Sequence, residues 1–401
     1  MLTNRQLFLK HLGQTSESPL MLEIERAEGV FMYGPAGEKY LDLVSGVSVS
    51  NTGHRHHKVV AAVKNQVDAY MHLMVYGEVI QNPQVKYAEY LTEFLPSNLT
   101  SVYFVNSGSE AVDGALKLAK RYTGRSRIIS FRKSYHGSTH GALSVQGSEF
   151  FRNAFRPLLP DCFQISFNSI PSLDIIDERT ACVIVEPVQG EAGVIFPEQG
   201  FLENVREKCT KSGTLLIFDE IQTGFGRTGK MFAIDRFKVI PDILLLAKAL
   251  GGGMPLGAFI SSNEIMSSLS CTPRLGHITT FGGHPVSCAA GMASMQVLTE
   301  EKLIDSCSRK SNLFRKLIVH DLVKEIRGEG LLLAVQLRDS EYVKYIVAKA
   351  PEFGLVLDYF LFCEDSFRIA PPLIISEEEI SWACQKLGGL LDDAVKNARL
   401  K

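Results

Sequence analysis

The chain predicts an α/β protein: a large domain on a mainly parallel sheet, beside a smaller α+β domain assembled from both termini. Three observations predict this. Short, continuously apolar runs alternate with helical patterns through the middle of the 401 residues. Those runs lack the alternation of a sheet that faces water on one side, so the sheet is covered on both faces. The two ends instead carry hairpin signals and mixed elements.

In chain order, "GVFMYGPAGEKYLDLV" (29–44) reads as a hairpin around a Gly-Pro turn signal. "SVYFVN" (101–106) reads as a strand leading into the helix "SEAVDGALKLAKRY" (109–122), where Ala111, Ala115, Leu118 and Ala119 share one face. "RIISF" (127–131), "ACVIVEP" (181–187), "TLLIFDE" (214–220), "DILLLAK" (242–248) and "LGAFISS" (256–262) are further strands. "FLENVREKCTKSG" is a helix closed by Gly213. "LLLAVQL" (331–337) is a strand of the last hundred residues, and "SEEEISWACQKLGGLLDDAVKNARLK" is an amphipathic terminal helix. Residues 56–300 are expected to form the large domain, with 1–55 and 301–401 forming the smaller one.

Composition excludes several classes. Forty-two basic against 44 acidic residues give a net charge of −2, with no excess directed at nucleic acid or an anionic membrane. No apolar run approaches the roughly 20 residues of a membrane span. The N-terminus "MLTNRQLFLKHLGQTSESP" shows no apolar signal region, so a cytoplasmic location is expected. The eight cysteines form no C-x-x-C pair and read as buried thiols in a reducing compartment.

Ligands of such sheets sit at the carboxyl ends of the strands, so the residues after each run are the informative ones. "VNSGSEA" ends a strand and opens a helix; Ser107, Gly108 and Ser109 can form a phosphate cup from hydroxyls and unpaired helix amides. The alternative is a capping box from Ser107 to Glu110. "GFGRTG" (224–229) matches a dinucleotide fingerprint literally, but "DEIQT" separates it from its strand, and no clear helix follows. Asp219 ends a buried strand and needs a cationic partner: Arg227, Lys248 or a protonated cofactor nitrogen. Lys248 ends the next strand, just before Gly251, Gly252 and Gly253. Desolvation lowers a lysine's pKa and frees it as a nucleophile. A salt bridge with Asp219 is the simpler reading. A Schiff base with pyridoxal 5'-phosphate explains the cup, the carboxylate and the lysine together.

Motifs over nearly the whole chain resemble the class III (subgroup II) aminotransferases, enzymes of the pyridoxal-phosphate-dependent fold type I. They include "LDLVSGVSVSNTGHRH", "VNSGSEAVDGALKLAKRYTGR", "YHGSTHGALS", "VEPVQGEAGV", "LLIFDEIQTGFGRTGKMFA", "LLLAKALGGGMPLGA", "TTFGGHPVSCAAG" and "FRIAPPL". The resemblance implies that Lys248 is the Schiff-base lysine and Asp219 pairs the pyridinium. Gln222 would reach the ring hydroxyl, Tyr135 and Ile221 would sandwich the ring, and Gly108 and Ser109 would hold the phosphate. His136 and Glu186 would adjoin the cofactor. Thr280 would reach the phosphate of a neighbouring subunit, which implies a homodimer with shared sites. Arg368 would bind a substrate α-carboxylate, with Glu191 as its gate. Three positions depart from the ornithine and acetylornithine patterns: Ser138 replaces an arginine, Val47 a tyrosine and His284 an asparagine. The first two bear on the choice of donor.

The implied reaction is ping-pong transfer of an ω-amino group, as from acetylornithine or ornithine, to 2-oxoglutarate. A 4-aminobutyrate or general ω-amine enzyme is the runner-up, with an aminomutase, a racemase or a non-enzymatic binding protein behind it. His54, His56 and His57 in "GHRHHK" lack the partners of a metal site. His136 and His140 are loop histidines of the kind that more often bond backbone than act as acid or base.

Overall fold

The computed structural model describes residues 2–75 and 77–398. An N-terminal helix, Asn4–His11, precedes three short strands: β1 (Arg26–Glu28), β2 (Phe31–Tyr33) and β3 (Lys39–Asp42). The predicted hairpin is the antiparallel β2–β3 pair, with Phe31 opposite Leu41. The central sheet takes β4 (Ser101–Val105), β5 (Arg127–Phe131), β6 (Cys162–Ile165), β7 (Thr180–Val185), β8 (Leu215–Asp219), β9 (Ile243–Leu246) and β10 (Gly257–Ser261). The C-terminal part adds β11 (Val323–Glu329), β12 (Leu332–Leu337), β13 (Leu355–Val356), β14 (Asp358–Phe360) and β15 (Cys363–Ile369).

The central order is β4-β10-β9-β8-β7-β5-β6. Only β10 runs against its neighbours, β4 and β9; the other pairs are parallel. Strands β4, β5, β7, β8 and β9 therefore end at one edge of the sheet. Strands β7 to β10 are buried at every position, as their unbroken apolar runs require. The helix Gly108–Thr123 buries Ala111, Ala115, Leu118 and Ala119 against the sheet. It lies so close that a Cβ on Gly114 would meet the Phe259 ring at 2.3 Å. Strand β6 was not anticipated, because "CFQI" is short, polar at one position and only partly buried. Cys271 is exposed, against the expectation of buried thiols: it lies in a loop rather than in a packed element. Among the described residues, no helix is long and apolar enough to cross a membrane.

The two ends of the chain meet. Strand β13 pairs in parallel with β3, Leu355 opposite Leu41. The Ala370 amide donates to the Leu43 carbonyl, and the Ser45 hydroxyl to the Ala370 carbonyl. Arg227 ties this junction to the loop after β8. Its guanidinium, fully buried, donates to the carbonyls of Leu331 and Pro371, to Ser45 Oγ and to Asn51 Oδ1. Burial lowers its pKa to about 10. Ser45, Gly46, Val47 and Ser48 all have positive φ, between 50° and 64°. For β-branched Val47 that conformation is strained and must be imposed by its surroundings.

Replacing Arg227 with methionine leaves four buried acceptors without their donor. We expect Arg227→Met to lower stability by roughly 3 kcal/mol, read from the urea midpoint. An unchanged midpoint would show that the acceptors find other donors.

Candidate active site

A cavity of about 390 Å³ opens at the carboxyl edge of the central sheet. Its walls come from the turns after β4, β5, β7, β8 and β9. Ser107, Gly108 and Ser109 line one end. Ser107 is the N-cap of the helix Gly108–Thr123, and its hydroxyl accepts from the Glu110 amide at 3.2 Å. The reciprocal half of a capping box goes elsewhere, because Glu110 accepts from the Asn106 amide. The amides of Gly108 and Ser109 are the first of the helix and have no intrahelical acceptor, which favours an anion there. Gly108 packs closely on Ile221: a Cβ would stand 2.9 Å from Ile221 Cδ1 and would push that side chain aside. Ser109 Oγ accepts from the Ser138 amide at 3.2 Å, leaving its own proton to donate.

Tyr135, His136 and Glu186 line the next wall. Glu186 is buried, and its two oxygens accept from the amides of Tyr135 (2.7 Å) and Gly190 (2.9 Å). It thus fixes both the Tyr135 backbone and the turn that carries Glu191. Burial, opposed by His136, pushes its pKa up to about 7. Asp219 and Lys248 follow neighbouring parallel strands, and both line the cavity. Asp219 is paired neither with Arg227 nor with Lys248. Its Oδ2 meets His136 Nδ1 at 2.7 Å, and its Oδ1 accepts from the Ile221 amide at 3.1 Å. His136 therefore bonds a carboxylate, not the backbone partner expected of a loop histidine.

Lys248 is half-buried, and desolvation lowers its pKa despite the neighbouring Glu191, Asp219 and Glu186. Its φ is +50°, an uncommon conformation for a residue with a side chain. Of the glycines that follow, Gly252 and Gly253 have positive φ. A Cβ on Gly252 would meet the Ala290 carbonyl at 2.6 Å, so it serves helix packing; Gly253 lines the cavity.

Ile221, Gln222 and Glu191 complete the cavity. Gln222 Nε2 lies 3.5 Å from Glu191 Oε1. Behind Glu191 lies Arg368, 1% exposed, with its Nη2 paired to Glu191 Oε1. Val47 is not in the wall; its strained turn presents Val49 there instead. Ser138 is exposed beside the Tyr135 hydroxyl, at 3.4 Å. Thr280 is exposed and lies away from this cavity. His284 caps the helix Pro285–Glu300 and stacks on His72. His54 pairs with Asp42 and His56 with Glu301, while His57 begins a helix.

Residues 12–391 match the family described as Aminotransferase class-III. The chain belongs to that family. This class-III aminotransferase is 40% identical over 386 residues to an acetylornithine aminotransferase of Methanopyrus kandleri, covering 95% of this chain and 96% of the relative. The crystal structure of the ornithine aminotransferase from Toxoplasma gondii superposes with a TM-score of 0.90 at 30% identity, covering 98% and 96% of the two chains. The adenosylmethionine-8-amino-7-oxononanoate aminotransferase from Methanocaldococcus jannaschii gives 0.89 at 32% identity, covering 99% of each. The fold is that of pyridoxal-phosphate-dependent transaminases, and family membership implies that cofactor. The residues fit it: a helix N-terminus for a phosphate, a carboxylate for a ring cation, and a lysine whose burial favours the free amine.

A carboxyl raised from 4.5 to about 7 adds stability while protonated. Glu186 makes that contribution in full below about pH 4.5 and loses it as the pH rises through 7. The stability margin of wild type over Glu186→Ala should narrow by about 3 kcal/mol across that window. Urea unfolding at a series of pH values measures it, and a margin independent of pH would contradict the assignment.

Proposed function

We propose that the enzyme transfers the ω-amino group of an acetylornithine- or ornithine-like donor to 2-oxoglutarate by a ping-pong route. The observation that carries this reading is the buried pair of Glu191 and Arg368 beside the cavity. With Glu191 on Arg368, the carboxylate site is closed, which suits an amine whose carbon bears no carboxylate. With Glu191 turned away, the same guanidinium receives the α-carboxylate of a keto acid. A 4-aminobutyrate or other ω-amine donor is the second reading, favoured by the neutral Ser138 beside Tyr135.

Lys248 Nζ, whose burial favours the free amine, would hold the cofactor through its aldehyde, and the free amine would serve as base for the proton on the donor's amine-bearing carbon. When bound, the cofactor supplies the electron sink that makes this carbon acidic. Asp219, oriented by His136 and the Ile221 amide, would keep the ring nitrogen protonated. Tyr135 and Ile221 would hold the ring, Gln222 would meet the ring hydroxyl, and Ser107, Gly108 and Ser109 would take the phosphate.

The enzyme works as a homodimer in this reading, with Thr280 reaching the partner's phosphate. Exposed Met71, Leu73, Met74 and Ile80 support that, as does Phe281, which packs on His72 and so joins the two segments. Residues 56–300 act as the cofactor domain, with 1–55 and 301–401 as the smaller domain. A cytoplasmic setting agrees with eight free thiols.

Borohydride treatment of the holoenzyme should place a phosphopyridoxyl group on Lys248, and Lys248→Ala should lose the label with at least a 100-fold loss of rate. A panel of amino donors with 2-oxoglutarate, scored by glutamate formation, tests the substrate. Glu191→Ala should shift kcat/KM towards α-amino acids by about tenfold. Donors restricted to α-amino acids would overturn the ω-amine reading, and sedimentation as a monomer would remove the dimer.

A further inference from the structure

Arg368 has a second carboxylate beside it. In the antiparallel pair β14–β15, Asp358 stands directly opposite Arg368. Asp358 Oδ2 lies 3.6 Å from Nη1, while Glu191 occupies Nη2. On its other side, Arg368 faces Ala334 of β12, which brings no charge. The Phe360 ring lies 4.7 Å from the guanidinium carbon. Asp358 Oδ1 accepts from the Tyr359 amide at 2.8 Å, which fixes the carboxylate on the strand. Burial raises its pKa and the Arg368 guanidinium opposes that shift, so the two groups are electrostatically linked across the strand pair.

The two carboxylates differ in freedom. Glu191 Oε1 accepts from Arg368 Nη2 and, at 3.5 Å, from Gln222 Nε2, while Oε2 accepts from the Leu361 amide at 3.2 Å. Its backbone carbonyl is held separately by the Phe362 amide, so the side chain can swing while the turn stays put. Asp358 cannot follow, because its strand is hydrogen-bonded to the strand of Arg368. An arriving α-carboxylate therefore displaces Glu191 and still meets a guanidinium whose charge is shared with Asp358. Like charges around one small cation in a poorly hydrated site repel.

We propose that Asp358 is a specificity-determining residue acting through Arg368: it weakens the hold on α-carboxylates and so favours terminal amines over α-amino acids. This rests on the reading of Arg368 as the carboxylate site.

The test uses the holoenzyme with 2-oxoglutarate, L-glutamate and N-acetylornithine as probes. Asp358→Asn should lower KM for 2-oxoglutarate three- to tenfold, with the change in KM rather than kcat. The ratio of kcat/KM for N-acetylornithine over L-glutamate should fall by a similar factor. Asp358→Glu, which keeps the charge, should stay near wild type on both measures. Asp358→Ser supplies the same neutralisation if the asparagine variant fails to fold. An unchanged or raised KM in the neutral variants, or a glutamate variant that behaves like them, overturns the proposal. Arg368→Gln separates the two layers. If it leaves KM for 2-oxoglutarate unchanged, the reading of Arg368 fails. If it raises KM while Asp358→Asn does not lower it, only the role of Asp358 fails.

Discussion

The buried guanidinium of Arg227 fixes the frame on which the site depends. Its acceptors come from Ser45 and Asn51 on either side of Val49, from Leu331 just before β12 and from Pro371 just after Arg368. Arg227 itself follows the strand that ends in Asp219. One side chain therefore ties together the edge of the sheet that carries Asp219, the strained turn beside Val49 and the strand of Arg368. All four hydrogen-bond acceptors are neutral, and although Asp42 favours the cation from a distance, burial outweighs it and depresses the pKa. The arrangement persists because the two terminal nitrogens of one rigid plane satisfy acceptors on widely separated segments at once, while Nε is left without a partner.

Around the cavity, burial and charge oppose each other, and burial decides. Lys248 has Glu191, Asp219 and Glu186 near it, yet its pKa falls. Glu186 has two amide donors and His136, yet its pKa rises. A site that is dry enough to do both keeps an amine free to react and preserves the strength of every remaining ion pair. Strain accompanies this dryness: Lys248 and the turn at Ser45–Ser48 both hold left-handed backbone.

The sequence made the cofactor end legible for a physical reason. An apolar run that terminates in a lone lysine or aspartate states both a buried strand and an unmet charge, so Lys248 and Asp219 could be read from local pattern. The hydroxyls and glycine of "SGS" at a strand–helix junction were legible in the same way. The roles of Arg368 and Glu191 came from resemblance alone, since 177 positions separate the pair. His136 on Asp219 joins residues 83 apart, and Asp358 on Arg368 depends on strand register; neither has a local signal. Val49 replaced Val47 in the wall because nothing in "SGVSV" announces four consecutive left-handed residues. Strand β6 was missed because its four residues include a polar one, Gln164, and are only partly buried.

The meeting of the chain ends has a consequence for biosynthesis. Ser45 and Ala370 are hydrogen-bonded across 325 positions, and β3 finds its parallel partner only in β13. During translation the central sheet and its lysine leave the ribosome long before that partner exists. The nascent protein therefore passes through an interval in which the central strands are complete and the seam between the two ends is still open. The contacts of Leu355, Ala370 and Pro371 with Leu41, Ser45 and Arg227 form only after nearly the whole chain has been made. Closing the two ends on each other is among the last folding steps that synthesis allows.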